Sequence, residues 1–132
     1  MKTLLILEDE APVLKLLWHM LKQYDLIEAT SAEEALRAFD EHGTQIDLLV
    51  ADVTLPAGSG IRVALRMRAQ IASLPVILTS GYPVVDWSPR DTADLEELGS
   101  ESVAILQKPF LARDLLSAVS RLTHEQPATR TA

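Results

Sequence analysis

Four short segments carry side chains that could act together on a charged substrate: Glu8-Asp9, Asp52, Thr79-Ser80 and Lys108-Pro109. They offer three carboxylates, hydroxyls and an ammonium. Three carboxylates a few Å apart repel, and at an effective dielectric of about 20 each pair at 4 Å costs about 4 kcal/mol. They stay ionised together only with a cation between them. Donors that are all oxygen, with no histidine or cysteine, select a hard ion, Mg²⁺ or Mn²⁺. Mg²⁺ typically takes one or two carboxylates, several waters and a phosphate oxygen. A phosphate also gives the Lys108 ammonium and the Ser80 hydroxyl an evident partner. The plainer alternative, a structural ion pair between Lys108 and the carboxylates, leaves Ser80 and the metal position without a role.

For residues so far apart to meet, several strands must end at one edge. Short β-type apolar runs occur at residues 3–7, 26–29, 46–51, 75–79 and 102–107. Between and after them lie helical patterns. Val13, Leu16, Leu17, Met20 and Leu21 share one helix face, as do Ala32, Ala35, Leu36 and Phe39. Ser31 with Glu34 reads as a capping box opening the second helix, and Gly43 as its stop. Ile61, Ala64 and Leu65 mark a third helix, with Val63 and Met67 off that face. Leu111, Leu115, Ala118, Val119 and Leu122 mark the last, and the fourth, at 91–98, is weak and short. This is βα repeated five times, an α/β domain with an open, doubly wound parallel sheet. Strands buried on both faces explain the continuous apolar runs 48–51 and 103–106. In such sheets ligands bind outside the carboxyl ends of the strands, where the four segments fall.

The chain has 132 residues, enough for one domain with its own core. It has no cysteine, which excludes disulfides, thiolate metal sites and a thiol nucleophile, and fits a reducing cytoplasm. No apolar run is long enough for a signal peptide or a membrane helix. Net charge is −7 and the basic residues are scattered, which argues against direct nucleic-acid binding. Gly58 and Gly60 lack the G-x-G-x-x-G run of a dinucleotide site and read as permitting the turn into the third helix. His19, His42 and His124 each stand alone and read as solvated or helix-end residues. Trp18 and Leu14, just off the first helix's core face, read as half-buried packing.

Glu8-Asp9, Asp52-Val-Thr-Leu-Pro with Gly60 eight residues on, Pro75-Val-Ile-Leu-Thr-Ser-Gly and Lys108-Pro-Phe together resemble the signature segments of response-regulator receiver domains. The likeness runs from about residue 2 to residue 123 and implies the flavodoxin-like strand order 2-1-3-4-5. It implies that Asp52 is the phosphoacceptor, and that Asp9, Asp52 and the Thr54 backbone carbonyl bind Mg²⁺ (or Mn²⁺), Glu8 helping through a water. Ser80 takes the place of the switch hydroxyl, Lys108 that of the lysine paired with the phosphoryl group, and the bond from Lys108 to Pro109 is often cis in this family. A histidine kinase or histidine phosphotransfer protein is the implied donor. The implied output runs through Ser80, Gly81 and Tyr82 to a downstream protein at the face of the fourth helix, fifth strand and fifth helix.

Two departures fall on the output side. Ile105 stands where the family usually carries an aromatic, and the stretch from Ser80 to Lys108 is several residues longer than usual, with Pro83, Trp87 and Pro89 in it. Activation is therefore expected to run through residues 81–99 and not through a side-chain swing at Ile105, which is β-branched and stiff. The rival readings are a receiver-like adaptor that works by binding alone, and an aspartate-nucleophile phosphohydrolase. The second is weak, since Asp52-Val-Thr lacks that class's second aspartate. The expected organisation is a receiver domain at 1–123 and a flexible tail at 124–132, in a single-domain cytoplasmic regulator whose only catalysis is its own phosphotransfer and dephosphorylation.

Overall fold

A computed structural model describes residues 1–124; the tail expected at 124–132 lies outside them except for His124. The strands are β1 (Thr3–Leu7), β2 (Asp25–Ala29), β3 (Leu48–Asp52), β4 (Val76–Ser80) and β5 (Val103–Gln107). Alternating with them are α1 (Ala11–Leu21), α2 (Ala32–His42), α3 (Gly60–Arg68), α4 (Pro89–Leu98) and α5 (Ala112–Leu122). All pairings are parallel and the sheet order is β2-β1-β3-β4-β5, the expected doubly wound arrangement. Strand ends move by one or two residues from expectation. Ile46, for example, caps a single 3-10 turn instead of opening β3.

Two apolar layers follow from the period-two alternation of the strands. Leu5, Leu7, Leu49, Ala51, Val76 and Leu78 face a core completed by α2, α3 and Leu98 of α4. Leu4, Ile6, Leu48, Val50, Ile77 and Ala104 face the layer of α1 and α5. The central strands β3 and β4 are buried throughout. The same reading fails for β5. This edge strand buries only Ala104, and Ile105 is 37% exposed, so its apolar run does not reflect cover on both faces.

Three helix faces also differ from expectation. Leu16 is 53% exposed, because α1 seats mainly the Leu17–Leu21 row against the sheet. In α3, Val63 and Met67 are buried while Leu65 is only partly so; the helix is walled by α2 and α4 as well as by β3, so its covered arc is broader than one stripe. Leu111 is the exposed N-cap of α5, not part of its core face. The capping box of α2 is half as expected: Ser31 Oγ accepts from the Glu34 amide at 3.1 Å, but the Glu34 carboxylate accepts from the Thr30 amide. Helix α4 starts earlier than its apolar pattern, at Pro89, with Ser88 Oγ accepting from the Asp91 amide.

One side chain ties the lower edge together. The Arg68 guanidinium, at the end of α3, donates to the carbonyls of Leu74, Leu98, Glu101 and Ser102 at 2.9–3.1 Å. It thereby joins the entry to β4, the end of α4 and the entry to β5. No helix among the described residues is long and apolar enough to cross a membrane.

Gly60 has a more specific reason to be glycine than the turn. A Cβ there would collide with the Asp52 carbonyl oxygen and press on the Ala51 Cβ, both held in the central strand. The left-handed turn is made by Gly58, at φ +119°. Gly60→Ala should therefore lower stability by about 1–3 kcal/mol, the usual cost of overpacking. Its denaturant midpoint should fall, whereas an Ala substitution at Gly81, which has open space around it, should leave the midpoint nearly unchanged.

Candidate phosphoryl and metal site

Sheet order places the candidate site. The chain leaves β1 toward β2 on one side and later returns to β3 on the other, so the crevice beyond Leu7 and Ala51 is the topological switch point. Leu7 pairs with Ala51, so Glu8 and Asp52 emerge side by side. Both are buried, at 0% and 4% exposure. Two adjacent buried carboxylates need a counter-charge, and Lys108 supplies it from the end of β5. Its Nζ lies 3.0 Å from Glu8 Oε1 and 2.9 Å from Asp52 Oδ2. The other oxygens take backbone donors: Asp52 Oδ1 from the Thr54 amide at 3.0 Å, Glu8 Oε2 from the Glu10 amide at 3.2 Å. The Lys108–Pro109 bond is cis.

A cavity of about 490 Å³ opens over this pair, lined by Asp9, Glu10, Asp52, Thr54, Leu55, Pro56, Gly81, Tyr82 and Lys108. Carboxylate oxygens of Glu8, Glu10 and Asp52 lie within 4.8 Å of one another, close enough to hold one metal ion. Asp9 lines the same cavity but its carboxylate stands outside that trio. Three carboxylates against one ammonium leave a surplus of negative charge, and every donor is oxygen. This set fits a hard divalent cation.

Burial, joined by the Asp52 charge, raises the Glu8 carboxyl above its ordinary value, against the lowering contacts from Lys108 and the Glu10 amide. Burial also pushes the Lys108 ammonium down, but its hydrogen bonds to Asp52 and Glu8 and their charges outweigh this and leave it raised. The ammonium is therefore secure at neutral pH, and Glu8 takes up a proton at a higher pH than an ordinary glutamate.

Of the residues singled out in the sequence, Glu8, Asp9, Asp52, Thr54, Gly81, Tyr82 and Lys108 meet here. Three do not. Ser80 does not line the cavity, and its Oγ bonds within its own segment, donating to the Tyr82 carbonyl at 2.8 Å. Ile105 sits in a separate groove with Leu95, Gly99 and Val103. Pro109 lies on the far side of Lys108, in an apolar groove with Val13, Leu16, Met20 and Phe110. Thr79 Oγ1 is buried without a hydrogen-bond partner among the described residues. Sequence reasoning missed Glu10. Its signal was present, as a third acid in the run Glu8-Asp9-Glu10, but a residue just ahead of a helix reads first as a cap.

A family model for the response regulator receiver domain matches residues 4–120. The chain belongs to that family. As a receiver domain it is a signalling fold and not a conventional enzyme. It is 30% identical over 125 residues to the alkaline phosphatase synthesis transcriptional regulatory protein PhoP of Bacillus subtilis, covering 92% of this chain and 48% of PhoP. It is 29% identical to the sensor kinase CckA of Brucella abortus, covering 94% of this chain and 13% of the kinase. A response regulator receiver domain from Clostridium thermocellum superposes with a TM-score of 0.81 at 25% identity, covering 94% of this receiver and 95% of that chain. The receiver thus spans about half the length of PhoP and a small part of CckA.

The raised Glu8 carboxyl gives the metal site a pH signature. Between the ordinary value of 4.5 and the raised one, folded Glu8 keeps a proton that the unfolded chain has lost. Stability from this group is full below 4.5 and is lost as pH climbs through the raised value. A divalent cation needs the ionised form, so its stabilisation grows across the same window. The rise in melting temperature on adding Mg²⁺ should be larger at pH 8 than at pH 5; equal increments would disprove the link to Glu8.

Proposed function

We propose that this receiver takes a phosphoryl group on Asp52 in a Mg²⁺-dependent reaction and passes the change to a protein partner. The observation that carries this reading is the Asp52 carboxylate itself. It ends a fully buried central strand, touches the Lys108 ammonium at 2.9 Å, and stands among carboxylates too many for that ammonium to neutralise. A structural ion pair would need Lys108 and one acid, not an acidic cavity open to solvent.

Glu8, Glu10 and Asp52, whose carboxylate oxygens lie within 4.8 Å of one another, would hold Mg²⁺, with Asp9 and Thr54 beside them on the cavity wall. The ion, when bound, offsets charge on the transferring phosphoryl oxygens. The chain supplies the rest. Asp52, oriented by the Thr54 amide, attacks phosphorus in line; the P–O bond to Asp52 forms as the donor bond breaks, and the leaving group departs with its electron pair. Lys108 can transfer one of its two contacts from Asp52 to a phosphoryl oxygen while keeping Glu8. This is positioning and electrostatics, already assembled before the donor arrives. The acyl phosphate adds charge and strong acceptor oxygens at a buried edge.

A histidine kinase or phosphotransfer protein must bring its phosphohistidine over the cavity mouth. The apolar groove beside Lys108, lined by Leu16, which is more than half exposed, is the surface such a donor meets. Output is assigned to the face of α4, β5 and α5, which holds the groove of Leu95, Val103 and Ile105. The setting is cytoplasmic, and the chain contacts nucleic acid only through a partner.

Two measurements check this. Incubation with acetyl phosphate and Mg²⁺ should add one phosphoryl mass, lost in Asp52→Asn; equal labelling of the variant would end the assignment. Leu16→Glu should slow phosphotransfer from a cognate kinase by about tenfold or more, as loss of an interface contact of 1.4 kcal/mol does. It should leave labelling by acetyl phosphate unchanged, since Leu16 stands outside the reacting groups.

A further inference from the structure

The Ser80 hydroxyl is hydrogen-bonded to capacity. It donates to the Tyr82 carbonyl at 2.8 Å and accepts from the Tyr82 amide at 3.0 Å. Its second lone pair takes the Trp87 Nε1–H at 3.2 Å, a donor shared with the Tyr82 carbonyl, also at 3.2 Å. A hydroxyl has one proton and two lone pairs. Nothing is left to offer an oxyanion, and with Ser80 only 1% exposed no water competes for it.

Trp87 reaches this place through the added length after β4. Pro83 opens a single turn at Val84–Asp86, and the Trp87 amide closes it on the Val84 carbonyl at 3.0 Å. The indole packs against the core layer of α2 and α3 while its neighbours Tyr82 and Val85 are 63% and 88% exposed. One anchored ring in an exposed loop thus holds one buried hydroxyl. Its N–H is the only side-chain donor that Ser80 Oγ receives among the described residues.

We infer that Trp87 is a latch on the Ser80 hydroxyl, a positioning residue that sets how readily Ser80 turns toward a phosphoryl group on Asp52. The inference rests on the phosphoacceptor reading above. To face the phosphoryl group, Oγ must give up its bonds to Tyr82 and Trp87. The Tyr82 amide and carbonyl lie on an exposed segment and can be solvated when Ser80 leaves. The Trp87 N–H comes from a half-buried ring packed against the core; it keeps the Tyr82 carbonyl when Ser80 leaves, but its bond to Oγ is lost. It therefore weights the equilibrium toward the turned-away hydroxyl, and a ligand that needs the other state is weakened in proportion.

Trp87→Phe keeps an aromatic ring against the core and removes the N–H together with the pyrrole half of the indole. It should bind beryllofluoride with Mg²⁺ about two- to tenfold more tightly than the natural chain, the span that one neutral hydrogen bond gives. In a Ser80→Ala background the same change should bring no gain. Equal or weaker binding by Trp87→Phe, or a gain that persists without the hydroxyl, overturns the latch. A measurement that leaves position 87 intact guards against misfolding of the variant. In proton–nitrogen spectra the Trp87 indole resonance should shift in Ser80→Ala and again on adding beryllofluoride with Mg²⁺ to the natural chain, with the Trp18 indole unmoved. A Trp87 resonance indifferent to both overturns the proposal. Failure of every protein to bind the mimic overturns the phosphoacceptor reading, and the latch with it; binding by the natural chain with no gain in Trp87→Phe overturns the latch alone.

Discussion

Two neighbouring parallel strands deliver Glu8 and Asp52 to the same buried edge, and a single ammonium holds both. Removing Lys108 would leave two buried like charges without their counter-charge, a loss of about 3–5 kcal/mol for a broken buried pair. The bridge therefore constrains more than the site. It requires β5 to end where Lys108 can reach past β4 to the centre of the sheet. The backbone meets that demand through the Lys108 amide, which donates to the Ser80 carbonyl at 2.7 Å. Strand register, loop geometry and site electrostatics thus depend on one interaction.

The bridge also separates two kinds of acid. Glu8 is buried against Lys108, whereas Asp9 and Glu10 line the open cavity and make no salt bridge among the described residues. Inside the fold two carboxylates share one ammonium; the acids at the mouth add to that surplus. Under the proposed function, that imbalance is what would draw a divalent cation and so make room for an anionic phosphoryl group.

Much of this was legible in the chain because it lies on the regular part of the fold. Strand ends carrying Glu8, Asp52, Ser80 and Lys108 follow from apolar runs of the right length, and a doubly wound sheet brings such ends together whatever the loops do. What escaped depended on three-dimensional neighbours. Glu10 joins the acids because α1 starts one residue after it. Leu65, Val63 and Met67 exchanged roles because α4 covers a flank of α3 that periodicity on α3 alone cannot reveal. The apolar run of β5 looked like an interior strand, yet an edge strand can carry the same residues half-exposed. The turned-aside Ser80 hydroxyl was beyond sequence reasoning, since it is held by the Tyr82 backbone and by Trp87, seven residues away along the loop.

The Arg68 guanidinium fastens the carboxyl end of α4 to the entries of β4 and β5, while the amino end begins just after the Trp87 loop. The helix is held midway as well, where Arg62 of α3 meets the buried Asp94 at 3.5 Å. Fixed at its carboxyl end and along the flank of α3, α4 acts as a splint that joins the edge of the sheet to the helix beginning beside Asp52.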